Sequence, residues 1–511
     1  MKKTLVLFLL YSIYSNSYSQ KKACTTQEVF NQRLGSVSGL REIVDRYLAA
    51  LRTRIENYPI NPQLHRNPLI IPVVVHVVYN NATQNITDEQ INSQIDALNR
   101  AFRKRNTTEI ATNPSTTYKG RTSDCLIEFR LAKRKPDGTA TTGITRRSTT
   151  TTAFNDRTND VKLAANGVVP WDASKYLNIW VCKLREIAPG SALMGYAAFP
   201  WDNNPALDGV VIDYHYFGTT GTVTAPNHQG KTTVHEVAHY LGLWHIWGDN
   251  GEFPPGCAVD DEVTDTPLQM DSNGGCPTYP TISCSAGGGE GDMFMNYMDY
   301  VNDQCMNMFS TGQRARMLAN FAPGEKRASL ALSNGLIPPH STNIDYEVFL
   351  IPQLEGLPSW KAAMGMVWAT ARQQSPDIPG LETASGPFAI NGLPNDVATT
   401  INALVLNYQE ILVCYSVEGF RALLRRGPIA ILSIGGGNKY GIVVSGMSID
   451  ANGNALLKIK DPMSVGPQFG ITQTGAEYQV EYTTFMTQNL EQLARDNKKM
   501  LIIYPPSSGG L

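Results

Sequence analysis

The sequence contains neither a run of like charges nor a marked excess of one sign. Its 43 lysines and arginines nearly balance 45 aspartates and glutamates, so the composition does not point to nucleic acid or an anionic surface as a partner. Beyond the first twenty residues, no apolar run is long enough to span a bilayer. Eight cysteines in 511 residues are too few for a disulfide scaffold and are typical of a few bridges. We find no internal repeat or low-complexity tract, and the length allows two or three packed domains.

The first 19 residues are typical of a cleaved secretory signal. Two lysines precede an apolar core from Leu5 to Ile13, and small polar residues follow up to Ser19. We therefore expect export to an extracellular or periplasmic location, with no membrane span in the product. Residues 20–66 form a separate segment, in which 28–57 have the pattern of a basic amphipathic helix. The stretch YPINPQLHRNP then interrupts the pattern with three prolines and indicates a linker.

Residues 67–325 alternate strand and helix patterns. LIIPVVVHVVYN predicts a buried strand, and the next helix opens at Thr87 with acidic residues in its first turn. Further strands are predicted at CLIEFRLAKR, YLNIWVCKL and GVVIDYHYF, which favours a mixed α/β domain with a twisted sheet. The composition changes near residue 340. We predict a linker over 326–343 and a separate α+β domain over 344–511.

The segment TTVHEVAHYLGLWHIWGDN has the spacing of a zinc site. On a helix, His235 and His239 lie on one face, where two imidazole nitrogens can reach one cation. Gly242 allows a sharp turn, which lets His245 return as the third ligand. Three histidines leave the fourth tetrahedral position open, and an open position is typical of catalytic zinc. Glu236 beside them is predicted to be the general base, taking a proton from the attacking water and delivering it to the leaving amine.

This extended motif resembles that of the metzincin metallopeptidases, which also carry a methionine-bearing turn below the zinc. In MFMNYMDYVNDQC, Met298 matches that methionine, and Tyr300 matches a tyrosine that in several metzincins stabilises the oxyanion. Within the clan, IPVVVHVVYN, GITRR, YLNIWVCKL, GYAAFPW and a cysteine-rich loop resemble the pappalysin family over about residues 69–325. The resemblance implies a zinc endopeptidase with protein or peptide substrates. Because bacterial pappalysins cleave before basic residues, it also implies a preference for Arg or Lys after the scissile bond.

The same resemblance implies two disulfides and a calcium site. Carried over from bacterial pappalysins, the pairs are Cys257 with Cys284 and Cys276 with Cys305. The oxygen-rich stretch CAVDDEVTDTPLQ is similar to the family's calcium-binding loop, with Asp261, Thr264 and Thr266 as candidate ligands. The alternative is that these side chains are simply solvated in an exposed loop.

Cys24 precedes the catalytic block in KKACTTQEVF, at a place similar to the cysteine that occupies the zinc of the bacterial pappalysin zymogen. Zinc favours sulfur, so a thiolate could block the fourth position. Residues up to about Arg54 or Arg66 would then be an inhibitory propeptide. The alternatives are a lipid anchor, which Lys21 three positions ahead argues against, an unrelated thiol, or a disulfide with Cys125 or Cys182.

The C-terminal third resembles papain-like cysteine peptidases in IPQLEGLPSWKAAMGMVWATA and in a later Gly-Pro strand and hairpin. Gln353 has the spacing of the oxyanion-hole glutamine, but Ser359 stands where the family has its cysteine. Lys439 or Tyr440 stands at the histidine's place, and Asp461 at that of the third member. A serine without a base is a poor nucleophile, so we predict an inactive domain with an unknown ligand. An unrelated α+β accessory domain is the alternative.

The sequence therefore favours a secreted zinc endopeptidase made as a latent zymogen. One rival is a non-enzymatic adhesin or binding protein in which both peptidase folds are relics. A second rival is an amidase or another hydrolase of a small substrate. The zinc motif is complete whereas the papain-like site lacks two residues, and this difference favours the peptidase.

Overall fold

A computed structural model describes most of the chain from residue 24 onward. The described residues are 24–57, 68–189, 191–248, 256–284, 289–322, 324–339, 344–346, 359–372, 397–398, 400–401, 404, 406–411, 416–435, 438–450, 452–461, 476–495 and 499–505. The predicted signal peptide 1–19 and the linker residues 58–67 lie outside them. In the part that the structure describes, no helix is both long enough and apolar enough to cross a bilayer.

The α-helices of the described residues follow in chain order: α1 Thr26–Ser36, α2 Leu40–Asn57, α3 Asp88–Phe102, α4 Thr107–Ala111, α5 Thr116–Arg121, α6 Lys231–Tyr240, α7 Thr311–Ala319, α8 Ala328–Ala331, α9 Ser359–Arg372, α10 Val417–Leu424 and α11 Tyr482–Arg495. The strands are β1 Leu69–Tyr79, β2 Ile127–Leu131, β3 Ile144–Ser148, β4 Leu177–Cys182, β5 Glu186–Ala188, β6 Ser191–Ala192, β7 Gly195–Ala197, β8 Val210–Asp213, β9 Ile344–Asp345, β10 Asn407–Ile411, β11 Ile429–Gly435, β12 Asn438–Ile449, β13 Ala455–Asp461, β14 Ala476–Glu481 and β15 Lys499–Tyr504.

The first sheet has the order β2-β1-β4-β8-β7, and β3 pairs with the second half of β1. All of its pairings are parallel except that of the edge strand β7, which runs antiparallel to β8. The apolar run of β1 is buried along almost its whole length, as expected of a parallel strand covered on both faces. Helices α3 and α6 contact each other, and α6 packs against β7 and β8. The edge strand and the α6 helix therefore lie side by side.

The predicted mixed α/β domain is confirmed, and its elements begin where local signals place them. The hydroxyl of Thr87 accepts a hydrogen bond from the backbone N–H of Gln90 and caps α3 as the sequence indicates. The helix predicted over 28–57 is instead two helices. The first helix ends before Val37, whose backbone is extended, and Gly39 then adopts a φ of +74° just before α2, a conformation that glycine tolerates.

The C-terminal domain is built on an antiparallel sheet with the order β10-β15-β11-β12-β13-β14, with β9 beside β12. Helix α9 packs on β11 and β12, which matches the α+β prediction. The stretch predicted as a linker is not loose over residues 326–339. Leu330 and Ile337 are fully buried, and the guanidinium of Arg134 donates to the carbonyls of Ile337 and Pro338. Residues 326–339 therefore pack with the first domain.

Candidate metal centre

Helix α6 carries two of the predicted zinc ligands on one face. His235 and His239 are one turn apart, and their Nε2 atoms lie 3.1 Å from each other. Just after the helix, Gly242 adopts a φ of +99°. A Cβ at this position would lie 2.6 Å from Nδ2 of Asn320. Both the backbone conformation and the lack of space therefore disfavour a side chain here. The turn brings Nε2 of His245 to 3.1 Å from Nε2 of His239.

Backbone carbonyls orient the two helical imidazoles. Nδ1 of His235 lies 2.7 Å from the carbonyl oxygen of Tyr297, and Nδ1 of His239 lies 2.8 Å from that of Leu243. A carbonyl can only accept, so each Nδ1 carries the proton and donates it. Both Nε2 atoms are then unprotonated, and their lone pairs are directed to the point where the three imidazoles meet. This is the tautomer that a metal ligand needs.

Cys24 supplies a fourth donor at the same point. Its Sγ and one nitrogen of each of the three histidines lie within 4.8 Å of one another, and all four residues are buried. Within the described ranges, no other group of three or more His, Cys, Asp or Glu side chains converges in this way. Three imidazole nitrogens and one thiolate are a donor set that suits tetrahedral zinc. The residues present therefore fit a zinc ion with all four positions taken.

The edge strand β7 holds the backbone of this N-terminal segment. Cys24 forms a parallel β-bridge with Gly195, and the N–H of Thr25 donates to the carbonyl of Gly195 at 3.4 Å. The disulfide alternative does not occur, because Cys24, Cys125 and Cys182 are three separate buried thiols.

Thr26 binds the predicted general base, which sequence reasoning missed. Its hydroxyl donates to Oε2 of Glu236 at 2.9 Å and accepts the N–H of Ala197 at 2.8 Å. The thiol of Cys24 lies 3.4 Å from the same carboxylate oxygen. In the sequence, Thr26 is only one of two threonines after a cysteine, and its partners are 171 and 210 residues away. No local pattern could have indicated the contact.

The surroundings of Cys24 disfavour its thiolate form when no cation is present. Burial, and after it the carboxylate of Glu236, raise the pKa of the Cys24 thiol well above its ordinary value. Without a positive charge, the sulfur would therefore stay protonated. A divalent cation among the imidazoles would stabilise the thiolate, which is the ligand form of cysteine.

Met298 and Tyr300 lie in a later stretch of the chain that contacts the segment around His245. The carbonyl of Met298, a fully buried residue, accepts the N–H of Ile246, directly after the third histidine. The hydroxyl of Tyr300 lies 3.0 Å from Nε2 of His245 and 3.3 Å from the carbonyl oxygen of Cys24. The structure thus places Tyr300 against the cluster and the backbone of Met298 beside the residue that follows His245.

Two disulfides cross-link the region after the third histidine. Cys257 is bonded to Cys284, and Cys276 to Cys305. These are the two pairs that the family resemblance implies. The second bond ties the loop to the end of the turn that carries Met298 and Tyr300.

The oxygen-rich loop contains a buried acid. Oδ1 of Asp261 accepts the N–H of Val263 at 3.1 Å and the hydroxyl of Thr266 at 2.8 Å. Its Oδ2 is also buried, and no described residue donates a hydrogen bond to it. Burial raises the pKa of this carboxyl well above its usual range. Such an oxygen fits a hard cation, and Thr264, another candidate ligand, is exposed.

The predicted papain-like residues are only partly described. Gln353 lies outside the described residues, as do the side chains of Ser359, Lys439 and Tyr440. Ser359 begins α9, and the backbone of the next residue, Trp360, would lie 2.6 Å from a Cβ at Gly441. The start of the helix and the hairpin strand β12 are therefore adjacent, as in the predicted arrangement. Asp461 ends β13 and is buried.

Comparison with known proteins agrees with these two halves. The family model described as pregnancy-associated plasma protein-A matches residues 159–322, and that of the papain-like cysteine protease AvrRpt2 matches residues 338–473. An extracellular metalloprotease of Trichophyton verrucosum is 30% identical over 253 residues, which are 49% of this chain and 76% of that protein. One from Arthroderma otae is 31% identical over the same shares of the two chains.

Two solved structures are also similar to this chain. A promirolysin mutant of Tannerella forsythia is 38% identical, with a TM-score of 0.54 over 61% of this chain and 97% of that one. Mature mirolysin of Tannerella forsythia, in complex with a cleaved peptide, is 43% identical, with a TM-score of 0.50 over 54% of this chain and all of that one. The chain therefore belongs to the pappalysin family of metzincin zinc metallopeptidases, and a papain-like domain follows its catalytic domain.

Proposed function

We propose that this zinc metallopeptidase is exported as a latent precursor, in which Cys24 blocks the metal, and that its mature form cleaves proteins with Glu236 as general base. One observation carries the proposal: Cys24, the three histidines and Glu236 converge in one buried site, with the N-terminal segment bridged to β7. The names of its relatives support the extracellular location, and residues 20–66 would be the propeptide.

Zinc, when bound, would polarise the substrate carbonyl and lower the pKa of a water molecule. Oε2 of Glu236 lies 3.4 Å from the Cys24 sulfur, which would take the fourth metal position, so the carboxylate would accept a proton there and pass it to the leaving amine. Both oxygens are buried, which strengthens their interaction with the reacting atoms. A positioned base of this kind contributes about 10²- to 10⁴-fold to the rate.

Tyr300 and strand β7 complete the proposed cleft. The phenolic hydroxyl already contacts a carbonyl oxygen, that of Cys24, so it is placed to donate to a substrate carbonyl that replaces it. The edge strand accepts an extended segment by backbone pairing, as its bridge to Cys24 illustrates. A substrate peptide would bind β7 by the same kind of pairing once the propeptide has left.

The latent state blocks three functions of the cleft with three consecutive residues. Cys24 takes the metal position, Thr25 pairs with the edge strand, and Thr26 binds the base. A substrate can reach the metal only after this segment has moved. Latency therefore follows from occupancy of the cleft.

Metal content and proteolysis test the central part of the proposal. Mature protein, freed of its propeptide, should contain about one equivalent of zinc and cleave casein or gelatin. Ortho-phenanthroline should abolish cleavage, and added zinc should restore it. A zinc-free protein that cleaves nothing would favour the relic alternative, and a zinc-loaded protein that leaves casein intact would favour the small-substrate one. Cleavage that survives the chelator would exclude the zinc mechanism.

The family resemblance further supports a preference for Arg, or Lys, directly after the scissile bond. Mass spectrometry of casein digested by the mature protein should show new N-termini dominated by these two residues. The matched control is a digest by the Glu236→Ala variant, which gives the background of contaminating peptidases. A flat or apolar distribution would show that this pocket has diverged from that of its relatives.

A further inference from the structure

An apolar face beside the zinc site is covered by helices α1 and α2. On the catalytic domain the face consists of Phe199, Trp201, Trp244 and Ala319, here called the anchor face. The propeptide covers it with Phe30, Leu40, Val44 and Leu51, and all eight side chains are buried. Together they form one hydrophobic cluster that belongs to neither partner alone.

Aromatic packing dominates this cluster. The ring of Phe30 lies edge-on to that of Phe199 with centroids 5.4 Å apart, and 6.5 Å from that of Trp201. On the catalytic side, Trp201 stacks on Phe199 at 4.7 Å and also contacts Trp244 at 4.7 Å. Buried aromatic residues of this kind carry much of the binding energy of protein interfaces.

Three ion pairs surround the aromatic centre. Arg33 pairs with Asp202, Arg52 with Glu262, and Arg54 with Glu325. The guanidinium groups of the first and third pairs are mostly buried, with side-chain exposures of 16% and 18%.

In each of these pairs the cation belongs to the propeptide and the anion to the catalytic domain. The interface is thus complementary in charge as well as in shape.

The anchor face and the zinc site are continuous. The ring of Phe199 lies edge-on to that of His239, with centroids 5.4 Å apart, and Trp244 directly precedes His245. On the other side, α1 begins at Thr26, two residues after Cys24. A segment docked on the anchor face therefore holds its cysteine at the metal.

We propose that the segment 24–57 is a noncovalent inhibitor held mainly by the anchor face, so that a cut within residues 58–67 does not by itself activate the enzyme. This inference rests on the proposed latency. All residues of the segment that form the apolar cluster and the ion pairs precede residue 58. A cut within residues 58–67 therefore breaks none of these contacts. Activation then needs a second event, in which the segment dissociates or is degraded.

The test uses the full-length precursor with a recognition sequence for a specific protease placed in residues 58–67. After complete cutting, the two pieces should co-elute in gel filtration, and casein cleavage should stay at least about tenfold below that of protein freed of the segment. Dilution of the cut sample should raise the activity per molecule, because the complex then dissociates.

Matched variants separate the anchor from the cysteine. In the cut Arg33→Ala/Arg52→Ala/Arg54→Ala protein, binding should weaken about tenfold or more, and activity should appear at lower dilution. The control is Arg46→Ala, an exposed arginine of α2 that donates to the carbonyl of Glu42 in its own helix, and it should behave as the wild type.

The cut Cys24→Ala protein should still co-elute with its segment, because the anchor is intact. Immediate separation of the wild-type pieces with full activity would overturn the anchor inference. If the uncut precursor is already fully active, it is the proposed latency that fails.

Discussion

Cys24 and Thr26 show how unequally a sequence reveals its functional residues. The three histidines and Glu236 lie within eleven residues, so their helical spacing alone predicts a site. Cys24 could be proposed because a family resemblance gave it a role. Thr26 has neither a motif nor a resemblance, because its role consists of contacts to residues of β7 and α6 that folding brings near.

Substitutions of these two residues should weaken latency to different degrees. The Cys24→Ala precursor should cleave a fluorogenic peptide faster than the wild-type precursor, because water can reach the metal. The Thr26→Val precursor should show a smaller increase, since the bond to a buried carboxylate contributes about 1.5–3 kcal/mol, or roughly 10- to 150-fold. Thr26→Ser keeps the hydroxyl and is the control. Equal latency in all four precursors would remove the switch.

The elements show where pattern reading succeeds and where it stops. Strand β1 and helix α3 were predictable because burial and capping are local signals. The split between α1 and α2 lies at an extended Val37 and a positive φ at Gly39, inside a pattern that otherwise favours a single helix. The loop after His245 carries no periodic pattern, and its shape depends on two disulfides and on the buried Asp261.

That loop should respond to calcium. Added calcium should raise the melting temperature of the wild type by about 5 °C at roughly 100 times its dissociation constant, since a cation would offset the buried charge of Asp261. Asp261→Asn should lose this increase. The exposed Asp271, in the same loop, gives the control Asp271→Asn, which should keep it. A wild type whose melting temperature is the same in calcium and in EGTA would exclude a calcium site.

The whole molecule joins a metallopeptidase domain to a papain-like domain that the sequence predicts to be inactive. The two are in contact, since the side chain of Asn334 donates to the carbonyl of Gly453 and α10 lies against β1. The second fold was predicted from the sequence through its resemblance to papain-like peptidases, and the family comparisons agree with it. The sequence could not predict the Asn334–Gly453 contact, because both residues lie in loops with no distinctive pattern, nor the packing of α10 on β1, because these elements are more than 300 residues apart in the sequence.

The papain-like domain should contribute no peptidase activity. Ser359→Ala in the full-length protein should leave casein cleavage unchanged, because a hydroxyl at its ordinary pKa is a poor nucleophile without a histidine. Thiol reagents should also leave the activity of the mature protein unchanged once Cys24 has been removed. Turnover that depends on Ser359 and persists in the Glu236→Ala background would show that Lys439 or Tyr440 acts as its base.

The most direct test of the account compares mature wild-type protein with the Glu236→Ala variant, measuring zinc content and casein cleavage on the same samples. The account predicts equal zinc content in the two proteins, because the three histidines remain. It predicts a cleavage rate about 10²- to 10⁴-fold lower in the variant, because the general base is lost. Proteolysis at the wild-type rate in a zinc-loaded Glu236→Ala protein would contradict it.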